Sequence, residues 1–333
     1  MLIVIKLKIN IMIDWHKYDI VRKITPSSKF IIGIGDSFTQ GQGSCSEEKW
    51  EKYNWDLSNV PEEDEREMFE TFYENSWVNQ LCKNHLTDYT PINLGMTGRG
   101  NRGAVKELYL HPELKMETVK EKIVIFMLTG MERFDFVHKE LNQHVHFKTM
   151  WPSDSYNGEE KGLWKEYLNH VYSERSAVIE LLLNIADAQT WCKANGAKLI
   201  LTSAFSTDYN NETFYKKIQG SKDDPKNYLY GNIHYLSALM TMVNWDYYLK
   251  PGGYPCVADM LCHLENRDDL IGVESSAKYY DYAYSSKKMS KGGYITPCAH
   301  PSIKGHTEIA KTMYDFIIKN DYLSEIKKQN KII

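Results

Sequence analysis

The chain predicts an α/β fold built on a doubly wound parallel sheet. Short, bounded apolar runs recur at Phe30 to Ile34, Lys122 to Leu128 and Ala197 to Ala204. They are too brief for helices and lack the polar alternation of a half-solvated strand, which is how strands buried on both faces read. Between them lie stretches with apolar residues at helical spacing. The clearest runs from Trp164 to Asn195, with Val178, Leu181, Leu182, Ile185 and Ala186 on one side and Gly196 as a stop. Polar, glycine-bearing turns follow Ile34 and Leu128, and open α/β sheets place their ligands beyond such strand ends.

In chain order, Pro26-Ser27-Ser28 punctuates the entry to the first strand, and Thr39 to Ser46 reads as loop. The acidic block Pro61 to Glu67 is a solvated face or a helix start. A helix through Trp77 to Cys82 leads to a second strand at Tyr89 to Gly95, then a helix over Arg102 to Leu110 and the third strand. Residues 134–163 form an aromatic insertion carrying His138, His144 and His146, expected to line a substrate cleft. The fourth strand follows the long helix. Residues 205–295 are rich in Tyr, Asp, Gly and Lys, with one helical pattern from Tyr235 to Tyr248. A closing helix uses Ile309, Ala310, Met313, Phe316 and Ile317. Four βα repeats give one domain over residues 1–333, with the insertions at 134–163 and 205–295 as a cap or recognition surface.

At 333 residues the chain can bury one sizeable core. A net charge of −4 with 25% charged residues leaves no basic footprint for nucleic acid. The six cysteines are scattered without a Cys-x-x-Cys pair, so neither a zinc site nor a disulfide framework is expected. No apolar run of eighteen residues suggests a membrane span. The start, Met1 to Met12, is broken by Lys6, Lys8 and Asn10 and does not read as a signal peptide, so a cytoplasmic location is the default; Met12 is an alternative start. The oligomeric state is not legible.

The chemistry concentrates in three places. Gly33-Ile34-Gly35-Asp36-Ser37-Phe38 puts a serine in the turn after the first strand, where it would be exposed to substrate; the bland reading is an ordinary turn with Asp36 or Ser37 capping a helix. Met96-Thr97-Gly98-Arg99-Gly100-Asn101 follows the second strand, and its glycines let a backbone N–H face a ligand. His300-Pro301 and Gly305-His306 stand before the last helix. In this order the segments resemble the SGNH (GDSL-type) hydrolases, a family of serine esterases, lipases and carbohydrate acyl-esterases. The resemblance covers about residues 28–133, 196–204 and 296–320. It implies a three-layer α/β/α sandwich with about five parallel strands. Ser37 would be the nucleophile, His300 its general base, and the N–H groups of Ser37 and Gly98 two donors of an oxyanion hole. His306 reads as structural.

Two positions depart from the family pattern. Gly130 matches its third block, but Glu132 stands where an asparagine amide donates to the oxyanion; either Glu132 points away, paired with Arg133, or burial keeps it protonated, or another donor such as Asn101 or Arg133 replaces the amide. Pro297 stands where the orienting aspartate precedes the histidine, so a backbone carbonyl, Asp281 or Asp259 would have to hold the ring. The resulting expectation is an esterase that acts through a Ser37 acyl-enzyme on a small-molecule or carbohydrate ester, with no metal or organic cofactor. The alternatives are a binding or structural protein that kept the fold with impaired chemistry, and a metal-dependent hydrolase using the insertion histidines.

Overall fold

A computed structural model describes residues 29–111, 114, 121–131, 133–137, 147–150, 166–167, 170, 174–205, 233–271 and 293–323. The strands are β1 (Lys29–Ile34), β2 (Thr90–Asn93), β3 (Glu121–Leu128), β4 (Phe134–Val137), β5 (Phe147–Met150) and β6 (Ala197–Ser203). The α-helices are α1 (Ser37–Gln40), α2 (Glu47–Lys52), α3 (Glu62–Asn75), α4 (Trp77–Asn84), α5 (Asn101–Leu110), α6 (Glu174–Ala194), α7 (Ile233–Met242), α8 (Val257–Leu264) and α9 (Ile303–Lys319).

Four strands pair in parallel in the order β2-β1-β3-β6. Ile32 of β1 sits opposite Ile92 on one side and Val124 on the other, and Phe126 of β3 sits opposite Leu201 of β6. The chain leaves β1 toward β2 and then crosses back to β3, so β1 and β3 diverge at a topological switch point. Against the expectation of about five strands, the described residues hold four. A single parallel bridge between Leu201 and Tyr248, with Leu249 N donating to Leu201 O at 2.7 Å, occupies the fifth position.

Successive strand side chains point to opposite faces, which sorts the core into two layers. Ile31, Ile123, Ile125, Met127 and Ile200 pack with apolar residues of α4, α8 and α9. Phe30, Ile32, Ile34, Val124, Phe126, Leu128, Leu199 and Leu201 pack with those of α5, α6 and α7. All eight residues of β3 are buried, Glu121 and Lys122 included, and burial on both faces is why Ile123 to Leu128 reads as one unbroken apolar run. A third cluster around Trp50, Phe69 and Phe72 includes Cys45 and Cys298, and so lies under the turn that bears His300.

The caps are local and legible. Ser76 accepts from Asn79 N to start α4, and Ser302 accepts from Gly305 N to start α9. The acidic block fills the first turn of α3 with Glu62, Glu63, Asp64 and Glu65, where the helix dipole favours negative charge.

Three expectations change here. The first part of the expected 39–46 loop is helical, because α1 runs to Gln40 under an Asp36 cap. Part of the 205–295 segment belongs to the layers, since α7 and α8 pack into opposite faces and Ala258 N donates to Ala204 O at 3.0 Å. Within 134–163, β4 and β5 form a separate antiparallel pair. Its Asp135 accepts from Gly100 N at 3.0 Å and Gly103 N at 2.8 Å, which pins the start of α5. Glu132, His138, His144, His146 and Asp281 lie outside the described residues.

Candidate active site

Ser37 is the first residue of α1, placed there by the end of β1. Asp36 caps the helix, accepting from Phe38 N at 3.0 Å, so the turn does cap a helix, as the bland reading of it has it. Ser37 is 4% exposed, against the expectation of an open serine. The His300 ring lies on its hydroxyl, and Gln42 N folds back to donate to its carbonyl at 3.1 Å.

His300 comes from a small turn. Ala299 N donates to Thr296 O at 2.9 Å and Thr296 N to His300 O at 2.8 Å, and the strand-like pairing of Ile295 with Pro301 closes the loop. The Thr296 hydroxyl donates to His300 O at 2.9 Å. Pro297 therefore occupies the second position of a tight turn, where its fixed φ is favoured. The turn presents the ring with Nε2 2.9 Å from Ser37 Oγ and Nδ1 2.6 Å from the backbone carbonyl of Cys298. A carbonyl only accepts, so Nδ1 carries the proton and Nε2 is left as the acceptor for the serine hydroxyl. Of the options for holding the ring, the main-chain carbonyl of Cys298 is in contact with it among the described residues, which do not include Asp281. Asp259 instead stands in the first turn of α8, its N–H directed to Cys256 Sγ.

Burial pushes the His300 pKa down to about 4, partly opposed by the Cys298 carbonyl and the nearby Asp36 carboxylate. The ring is thus neutral at pH 7 and able to take a proton. His306, expected to be structural, is fully buried, and its Nδ1 accepts from Trp77 N at 3.3 Å, joining α9 to α4. Its pKa is pushed down to about 3, chiefly by burial.

The loop bearing Gly98 runs beside the serine loop. Met96 N donates to Gly35 O at 3.2 Å, Asn93 Nδ2 to Thr39 O at 2.8 Å, and the Thr97 hydroxyl to Gln42 Oε1 at 2.9 Å. Gly98 has φ +75, a left-handed conformation that suits glycine. Neither Ser37 N nor Gly98 N is engaged in a hydrogen bond among the described residues. Arg99 braces the loop from below, with Nη1 on Leu94 O at 3.2 Å and Nη2 on Glu107 Oε1 at 2.8 Å.

The two candidates for a third donor have other work. Asn101 clamps both backbone groups of Thr129: its Nδ2 donates to Thr129 O at 3.1 Å and its Oδ1 accepts from Thr129 N at 2.9 Å. Arg133 Nη1 donates to Asp36 Oδ2 at 2.9 Å and to Arg99 O at 3.1 Å. Gly130 lies in the turn between them, half-buried, its carbonyl accepting from Arg133 N at 3.4 Å. Asp36 also accepts from the Thr129 hydroxyl at 2.7 Å. Sequence reasoning missed the Cys298 carbonyl as a specific partner; the signal was Thr296-Pro297, a turn-forming pair ahead of the histidine.

Among the described residues no group of three or more His, Cys, Asp or Glu side chains is placed to hold a metal ion, and no helix is long and apolar enough to cross a membrane.

No family model matches this chain, and no curated protein matches it. Among solved structures it is similar to the acetyl xylan esterase AlAXEase, at 12% identity and a TM-score of 0.33, over 86% of this chain and 98% of that one. It is also similar to Est24, a carbohydrate acetylesterase from Sinorhizobium meliloti, at 11% identity and a TM-score of 0.35, over 87% of this chain and 99% of that one. At such scores the α/β assignment rests on the sheet order and layer packing above.

Proposed function

We propose that the chain is a serine esterase of the SGNH type. The observation that carries this reading is the Ser37 Oγ to His300 Nε2 contact of 2.9 Å, at the carboxyl end of β1, with Nδ1 held by a main-chain acceptor. His300 takes the hydroxyl proton as Ser37 Oγ attacks the ester carbonyl carbon. The oxyanion that forms accepts from Ser37 N and Gly98 N. His300 then returns the proton to the leaving alcohol, and a water repeats the sequence to release the acid and free Ser37. A carboxylate-free dyad makes a weaker base than a full triad, so turnover is expected to be slow. The substrate class that fits is a small carboxylic ester, including the O-acyl groups of carbohydrates.

The near-complete burial of Ser37 favours a second reading, a protein that kept the fold and binds without turnover. Incubation with p-nitrophenyl acetate and a fluorophosphonate probe separates the two. Covalent labelling and hydrolysis that both vanish in Ser37→Ala support the esterase; a well-folded wild-type protein that neither labels nor hydrolyses sinks it.

A further inference from the structure

We propose that Arg133 is a positioning residue that sets the distance between the two oxyanion donors by tying the loop of Ser37 to the loop of Gly98. The inference rests on the esterase reading above. A single nitrogen, Nη1, donates to Asp36 Oδ2 at 2.9 Å and to Arg99 O at 3.1 Å. It carries two hydrogens, one for each acceptor. Asp36 is the residue before Ser37 and Arg99 is the residue after Gly98. The guanidinium therefore reaches one residue away from each donor, and it does so from a third loop, the one that leaves β3.

The setting makes the tie stiff. The Arg133 side chain is 4% exposed and that of Asp36 0%, and charge-assisted hydrogen bonds shielded from water are short and strong. The anchoring loop is itself fixed on both sides. Thr129, at the end of β3, donates its hydroxyl to the same Asp36 oxygen, and its backbone is clamped by Asn101. Farther along, Asp135 holds the N–H groups of Gly100 and Gly103. The loops after β1, β2 and β3 are thus cross-linked at their tips: Thr129 joins Asp36 to Asn101, and Arg133 joins Asp36 to Arg99, the residues next in sequence to the two donors. Backbone donors stabilise an oxyanion only when they stand at the right spacing, and a displacement of about 1 Å forfeits much of the effect.

A simpler role for Arg133 is to balance the buried charge of Asp36, and removing the arginine alone would leave that charge unbalanced in a dry interior. The test therefore uses the neutral pair Asp36→Asn with Arg133→Met. The amide introduced by the first substitution can still accept from Phe38 N through its oxygen and donate to the Thr129 hydroxyl through its nitrogen. Arg133→Lys is run beside it, since it keeps the charge but lacks the planar fork. Hydrolysis of p-nitrophenyl acetate is measured on folded protein, with active sites counted by fluorophosphonate labelling taken to its end point. Wild-type protein that does not label overturns the esterase reading itself, and with it the basis of the proposal. With labelled wild type, positioning predicts kcat lower by about tenfold or more in the double variant, with KM within about threefold and Arg133→Lys falling between. A double variant with kcat within about twofold of wild type, or with a loss confined to KM, overturns the proposal.

Discussion

The Nδ1 atom of His300 lies 2.6 Å from the backbone carbonyl oxygen of Cys298, so the ring is oriented by the main chain of its own turn. The carbonyl stays when the side chain changes. Cys298→Ala is expected to keep kcat within about threefold, at a stability cost of about 1 kcal/mol for the emptied thiol site. His300→Ala is expected to lower kcat by about 10³-fold or more. Steady-state hydrolysis of p-nitrophenyl acetate by both variants checks the contrast; a loss in Cys298→Ala as deep as in His300→Ala would assign the role to the thiol.

The acid limb of the rate profile should lie low. His300 is held neutral down to about pH 4 by burial, against an ordinary histidine value of 6.5. Because the base works when unprotonated, kcat/KM for a non-ionising ester should persist through pH 5 and decline only toward pH 4. A midpoint near 6.5 would mean that the ring is solvated in the working enzyme.

Stability should respond to the same burial. His300 and His306 have folded values depressed to about 4 and about 3, so between those values and 6.5 the unfolded chain binds protons that the folded chain does not. Their contribution is intact above pH 6.5 and is lost as pH falls through that window, by about 2 kcal/mol for each ring between pH 7 and pH 5. Urea unfolding at the two pH values measures it. His306→Asn, which keeps an acceptor for Trp77 N, should be less stable at pH 7 yet show a shallower slope.

Gly43 approaches the histidine turn too closely to carry a side chain. Its φ is +95, and an added Cβ would meet Pro301 O at 2.7 Å and His300 Cβ at 2.8 Å. Gly43→Ala is expected to destabilise by about 1–3 kcal/mol and to cut kcat by moving the ring off Ser37. Thermal unfolding together with the initial rate checks both; a variant with wild-type rate would show that the turn yields without disturbing the base.

Much of the fold was legible because its signals are local. The unbroken apolar run of β3 reports burial on both faces, and α4 and α9 begin at serine caps written in the sequence. A cap at Asp36 could be read from the turn, but Thr39 and Gln40 read as loop because a helix of four residues is too short for a period to show. The fifth strand was expected from the resemblance, and the chain spends that position on a single bridge at Tyr248. In the site, side-chain partners such as Ser37 and His300 stand out by residue type. Main-chain partners do not, since every residue has a carbonyl, and the one that matters at Cys298 is chosen by a turn geometry. The role of Arg133 was hidden for a related reason: its two acceptors, Asp36 and Arg99 O, are 97 and 34 residues away in sequence.

Ser37 and His300 meet across 263 residues of chain. At a synthesis rate of about 5–20 residues per second, Ser37 is added to the chain roughly 13 to 53 s before His300. Once Leu128 has been made, about a third of the way through that interval, β1, β2 and β3 can pair, because their contacts need nothing beyond it. The nascent sheet therefore has Ser37 without His300, and under the proposed esterase reading hydrolytic competence would arrive late, when the turn at Thr296 and the helix behind it close over the first layer.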